Sequence, residues 1–114
     1  MTLELQSSIE GDDVLVLSLR ADNLDASNVS AFKDATRTLM ENRDRVVLDL
    51  AEVKFVDSSG LGALIGCLRQ MNSRRGDFRL CAMTRTVSAL FELMRMHRVF
   101  SIHTTREDAL RSFG

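Results

Sequence analysis

The spacing of hydrophobic residues changes several times along this chain, and each change marks an element. Leu3 and Leu5 alternate with polar residues up to Ile9, Glu10-Gly-Asp-Asp13 turns the chain, and residues 14–19 are apolar almost without interruption. The alternation predicts a strand wet on one side and the continuous run a buried one, joined as an antiparallel edge hairpin. After a polar connection at 21–25, Val29, Phe32, Leu39 and Met40 share one face of a helix while Lys33, Arg37 and Glu41 stay in water. Ser27 or Asp25 would cap that helix and Asn42 would help end it.

Residues 45–50 form a second buried run, and a helix between two such strands implies a right-handed crossover and parallel pairing. Ala51 and Glu52 make a short break before residues 53–56, which lead into a corner. From there Leu61, Leu64, Ile65 and Leu68 recur at i, i+3, i+4 and i+7, a helix that runs to about Ser73 and is stopped by Arg74-Arg75-Gly76-Asp77. Residues 78–82 are a third core strand, and Val87, Leu90, Phe91 and Met94 mark another amphipathic helix. A weaker strand at 99–103 and a closing helix at 107–113, resting on Ala109, Leu110 and Phe113, complete the order β-β-α-β-α-β-α-β-α. The pattern predicts an α/β fold: one mixed, mostly parallel sheet with an N-terminal antiparallel hairpin and about four helices.

Composition narrows the function more than the fold. The 114 residues, 45% of them hydrophobic, suit a single domain over residues 1–114 with its own core. Fifteen basic and sixteen acidic residues leave a net charge of −1, so no electrostatic footprint marks a nucleic acid or an anionic membrane as partner. Cys67 and Cys81 sit in apolar company without a Cys-x-x-Cys pair, which predicts two buried thiols rather than a disulfide or a metal site. His97 and His103 lack ligand-like neighbours, so neither metal nor cofactor is expected. The N-terminus has no basic region followed by an apolar run, and no stretch reaches the roughly 18 apolar residues of a membrane span. A cytoplasmic protein is expected.

The candidate chemistry lies at the corner, Lys54-Phe-Val-Asp-Ser-Ser-Gly-Leu-Gly-Ala-Leu64. Asp57, Ser58 and Ser59 place side-chain oxygens where a helix begins, beside its free N–H groups. A nucleophile elbow would need Gly-x-Ser-x-Gly and a triad, but the first glycine is missing and only His97 and His103 could serve as base. A phosphate-gripping loop would need Gly-x-x-x-x-Gly-Lys-Ser/Thr or Gly-x-Gly-x-x-Gly, and neither occurs. Two readings remain. Asp57 and Ser58 merely cap the helix, or one hydroxyl accepts a phosphoryl group, whose charge of about −1.5 to −2 suits a helix start.

The corner, together with Val47-Leu-Asp-Leu50 before it, resembles the signature of the STAS domain family, specifically the anti-sigma factor antagonists of bacterial partner-switching systems. Val16 to Leu19 with Leu24-Asp25 resembles the family's second strand and first helix start, and Leu90 to Leu93, Val99 to Ile102 and Glu107 to Leu110 resemble its C-terminal third. The resemblance implies that Ser58 is phosphorylated by an anti-sigma factor that is also a serine kinase, and dephosphorylated by a metal-dependent serine phosphatase. It further implies that Asp25, Asp57, Ser59, Gly60, Leu61 and Gly62 form the switch loop and partner surface with Ser58. The unphosphorylated protein would bind the anti-sigma factor and release a sigma factor, without being an enzyme itself. Two departures bear on the loop: Ala21 or Asp22 replaces a glycine common before Leu-Asp, and Met83-Thr-Arg-Thr86 replaces a loop often holding Asn or Pro. The rival reading is a structural or regulatory STAS subunit of another assembly, such as a lipid-transport complex or a secretion or motility system.

Overall fold

A computed structural model describes residues 3–113. Strands β1 (Glu4–Glu10) and β2 (Val14–Arg20) pair antiparallel in register, Glu4 opposite Arg20 and Glu10 opposite Val14. The turn between them takes its handedness from Asp13 and Gly11, both at positive φ. From β2 the sheet grows by parallel additions, β4 (Arg45–Asp49), β6 (Asp77–Cys81) and β7 (Ser101–His103), giving the order β1-β2-β4-β6-β7. The expected mixed sheet with an antiparallel N-terminal hairpin is therefore present.

Strand periodicity divides the core. Leu15, Leu17, Leu19, Val46, Leu48, Phe78 and Leu80 face helices α1 (Val29–Leu39), α2 (Ser58–Asn72) and α3 (Arg85–Leu93), where Phe32, Leu64, Met71, Val87 and Phe91 are buried against them. The alternate residues Val14, Val16, Val47 and Cys81 face the other way, onto α4 (Arg106–Arg111) through Ala109, with Leu110 and Phe113 beside it. Helix α4 is short, and electrostatics helps fix it. Arg106 reaches Asp49 at 2.9 Å and Glu10 at 3.2 Å, and the Asp49 side chain is only 9% exposed. These bonds favour the charged guanidinium, raising its pKa further above its ordinary value, chiefly through the hydrogen bond to Asp49.

Four sequence expectations are corrected. Residues 21–25 are more than a connection: β3 (Asn23–Leu24) pairs in parallel with β5 (Phe55–Val56) as a separate two-stranded ladder. The N-cap of α1 is Asn28, neither Ser27 nor Asp25, because the Asp25 carboxylate bonds the Ser27 amide and hydroxyl in the turn before the helix. Met94 is 38% exposed and Leu93 80% exposed, so the core face of α3 consists of Val87 and Phe91, with Leu90 half-buried. The strand expected at 99–103 shortens to Ser101–His103, because a 3-10 turn at Met96–Arg98 leaves Val99 48% exposed. The helix stops were legible: Asn42 and Arg75 take left-handed conformations just past the ends of α1 and α2.

Candidate functional site

The β3–β5 ladder builds the corner. The Lys54 amide donates to the Asp22 carbonyl at 2.6 Å, and the Asp57 amide donates to the Leu24 carbonyl at 3.2 Å, at either end of the pairs Asn23–Phe55 and Leu24–Val56. Two stretches some thirty residues apart are thereby held side by side, and both end in an acidic residue, Asp25 and Asp57. Thr84 braces the approach, its hydroxyl donating to the Val53 carbonyl at 3.2 Å while accepting from the Val87 amide at the start of α3.

Asp57 is the N-cap of α2 and works on two elements. Its Oδ1 accepts from the Gly60 amide at 2.9 Å, which satisfies a free donor of the first turn. Its Oδ2 accepts from the Ala26 amide at 3.2 Å, so the carboxylate clamps the helix start to the neighbouring turn. Asp25 shapes that turn from within. Its Oδ1 accepts from the Ser27 amide at 3.0 Å and the Ser27 hydroxyl at 2.5 Å, and its carbonyl accepts from the amides of Asn28 and Val29.

Ser58 is the first residue of α2 and is exposed, whereas Ser59 is half-buried. Gly60 is buried for a steric reason: a Cβ there would lie 2.3 Å from the Leu24 carbonyl oxygen. Leu61 is 7% exposed and belongs to the core, while Gly62 faces open space. Of the seven residues read from the sequence as switch loop and partner surface, Gly60 and Leu61 thus shape the corner from beneath. Ser58 and Gly62 are exposed, and Asp25, Asp57 and Ser59 are partly so.

The remaining chemistry-bearing residues lie apart from this arrangement. Burial pushes the Cys67 thiol up to about 11 and the Cys81 thiol up to about 12, the latter helped by the charge of Asp49. His103 pairs with the Ser101 hydroxyl at 3.1 Å. Among the described residues no group of three His, Cys, Asp or Glu side chains could hold a metal ion, and no helix is long and apolar enough to cross a membrane.

A parallel sheet entered through an antiparallel hairpin, with an Asp-capped helix start carrying an exposed serine, can be compared with known proteins. A family model described as the STAS domain matches residues 7–109. The chain belongs to the STAS domain family. Within 67 residues it is 28% identical to the anti-sigma F factor antagonist of Paenibacillus polymyxa, a match over 59% of this chain that spans only 57% of that relative's length. A STAS domain protein of Planctomyces limnophilus superposes with a TM-score of 0.87 at 21% identity, over the whole of both chains. The anti-sigma factor antagonist SpoIIAA, solved in its unphosphorylated form, superposes at 0.78 with 20% identity over 96% of both chains. Its phosphorylated form from Bacillus superposes at 0.70 with 19% identity, over 97% of this chain and 100% of that one. At these identities the structural likeness is one of fold.

Sequence reasoning missed two parts of this STAS corner. One is the β3–β5 ladder, whose two-residue strands are too short to show a period. The other is Asn28, which is buried although it stands in the polar run Asp25-Ala-Ser-Asn28. The available signal was that density of Asp, Ser and Asn, whose side chains bond to nearby backbone in turns.

Proposed function

We propose that this protein is an anti-sigma factor antagonist, a cytoplasmic regulator whose state is set by phosphorylation of Ser58. One observation carries the reading: an exposed serine stands at the first position of α2, on a loop pinned from both sides by Asp57. The hydroxyl can be esterified without opening the core. The names of the relatives, and the two phosphorylation states in which SpoIIAA has been solved, support it.

In its unphosphorylated state the corner docks on an anti-sigma factor that is also a serine kinase, and a sigma factor is released. The kinase transfers the γ-phosphoryl group of ATP to the Ser58 oxygen: a P–O bond to ADP breaks, a P–O bond to serine forms, and the hydroxyl proton leaves. A metal-dependent serine phosphatase reverses the change by hydrolysis. The new group adds a charge of about −1.5 to −2 next to Asp57, the neighbouring residue and N-cap of α2. Within the free protein the helix dipole offsets part of that repulsion, by about 0.3–1 kcal/mol. Inside an interface the dianion must lose water, which costs about 2–5 kcal/mol, or about 30-fold to a few thousand-fold in affinity. The fold is kept and the contact is lost.

Mass spectrometry after incubation with the cognate kinase and ATP tests the assignment. A single phosphate on Ser58 is expected, Ser58→Ala should bind the kinase and stay unmodified, and Ser58→Asp should bind poorly. Modification of Ser27 or Ser88 instead, or equal binding by all three proteins, contradicts it.

A further inference from the structure

One buried polar side chain in the turn that bonds Asp57 is not used by the switch itself. Asn28 is 3% exposed and stands at the N-cap of α1, yet it makes no side-chain cap bond to that helix. Its amide turns back into the loop instead. Oδ1 accepts from the Asp25 amide at 3.0 Å, and Nδ2 donates to the Asn23 carbonyl at 2.7 Å. The side chain thus bonds the loop before α1 and not the helix it begins.

The bonds then run in series toward the phosphoacceptor. Asn28 holds the Asp25 amide, the next amide, that of Ala26, donates to Asp57 Oδ2, and Asp57 Oδ1 accepts from Gly60 in the first turn of α2. The bonds of the Asp25 carboxylate itself go to Ser27, two residues on, and would move with the turn. Asn28 is the buried side chain of the turn, and both ends of its amide are bonded to backbone.

We infer that Asn28 is the positioning residue of the Ser58 site: its buried amide fixes the turn bearing Asp25 and Ala26, and through the Ala26–Asp57 bond sets how that turn stands against the first turn of α2, where Ser58 is. The functional half of this inference rests on the proposed phosphorylation of Ser58. A kinase that reads the loop would meet it already ordered. Without Asn28 the ordering must occur on binding, which raises KM and leaves the chemical step nearly untouched.

The test compares Asn28→Ala with Val47→Ala, which removes core volume on the α4 side of the sheet. Both are studied far below their melting temperatures, by amide exchange and by phosphorylation with the purified anti-sigma factor serine kinase of the same organism and ATP. In Asn28→Ala the Ala26 amide should exchange about tenfold faster and KM for the antagonist should rise about five- to tenfold with kcat within about twofold, the scale of ordering one short turn. Val47→Ala should show neither change. Wild type modified on Ser58 with KM unchanged in Asn28→Ala overturns the role of Asn28 and leaves the switch standing. An equal rise in KM for both variants also overturns it, by tracing the effect to general destabilisation. Failure of wild type to be modified on Ser58 overturns the switch and this inference together.

Discussion

Replacing Gly60 by alanine should destabilise the protein, while the same change at Gly62 or Gly66, on the same helix, should stabilise it. A methyl group at Gly60 would sit 2.3 Å from the Leu24 carbonyl oxygen and 2.9 Å from its carbonyl carbon. Those atoms are backbone, and the same oxygen accepts the Asp57 amide at 3.2 Å, so relief of the clash must pull the β3–β5 ladder from the start of α2. Overpacking costs about 1–3 kcal/mol, and a rigid backbone neighbour places this case at the top of that range. Weakening the Asp57–Leu24 hydrogen bond adds about 1 kcal/mol, and the better helix propensity of alanine returns up to about 1 kcal/mol. The net loss is about 3 kcal/mol, which at roughly 4 °C per kcal/mol for a chain of this size lowers Tm by about 12 °C. Gly62 and Gly66 have no atom within 4 Å of an added methyl group. There only propensity acts, for a gain of about 0.5–1 kcal/mol and a Tm higher by about 2–4 °C. Thermal melts followed by circular dichroism, with urea titrations to supply free energies, read all three variants. Gly60→Ala melting within about 2 °C of wild type would refute the close approach, and a drop in Tm for Gly62→Ala or Gly66→Ala would refute the claim of open space.

Other consequences follow from the rest of the structure. Arg106→Met leaves Asp49 nearly buried without its partner and should cost about 2–4 kcal/mol in urea titrations, discounted because a third of the Arg106 side chain is exposed; an unchanged midpoint would contradict the bridging of α4. Thr84→Ala removes both the cap of α3 and the bond to Val53, for a loss of about 1–2 kcal/mol in the same assay. Cys67 and Cys81 should ignore a thiol reagent at pH 8 in the folded protein and react on unfolding. Because the folded thiols titrate at about 11 and about 12 against 9.0 in the open, their contribution to stability is intact below pH 9 and is lost as pH rises toward 11. Cys67→Ala should flatten that decline, and an unaltered slope would count against the shift.

How far the fold could be read in advance depended on element length. The run Val14 to Leu19 and the recurrence of Leu61 and Leu64 are long signals, and both elements lie where the pattern put them. Asn23–Leu24 and Phe55–Val56 are two residues each, and their pairing is a tertiary fact, fixed by hydrogen bonds between segments about thirty residues apart. Met94 was misplaced because spacing cannot see a helix end: α3 stops at Leu93, and Arg95 takes a left-handed conformation that redirects the chain. At the site, exposure of Ser58 and the cap by Asp57 were legible from residue type. The second bond of Asp57, to Ala26, and the inward turn of Asn28 depend on the ladder, which no local pattern encoded.

Affinity for the partner before and after modification tests the central claim most directly. Calorimetric titration of the purified anti-sigma factor with the unmodified protein, and with the same protein phosphorylated on Ser58, should give dissociation constants that differ by about 30-fold or more. Equal affinities, with the phosphate verified on Ser58, would contradict the account.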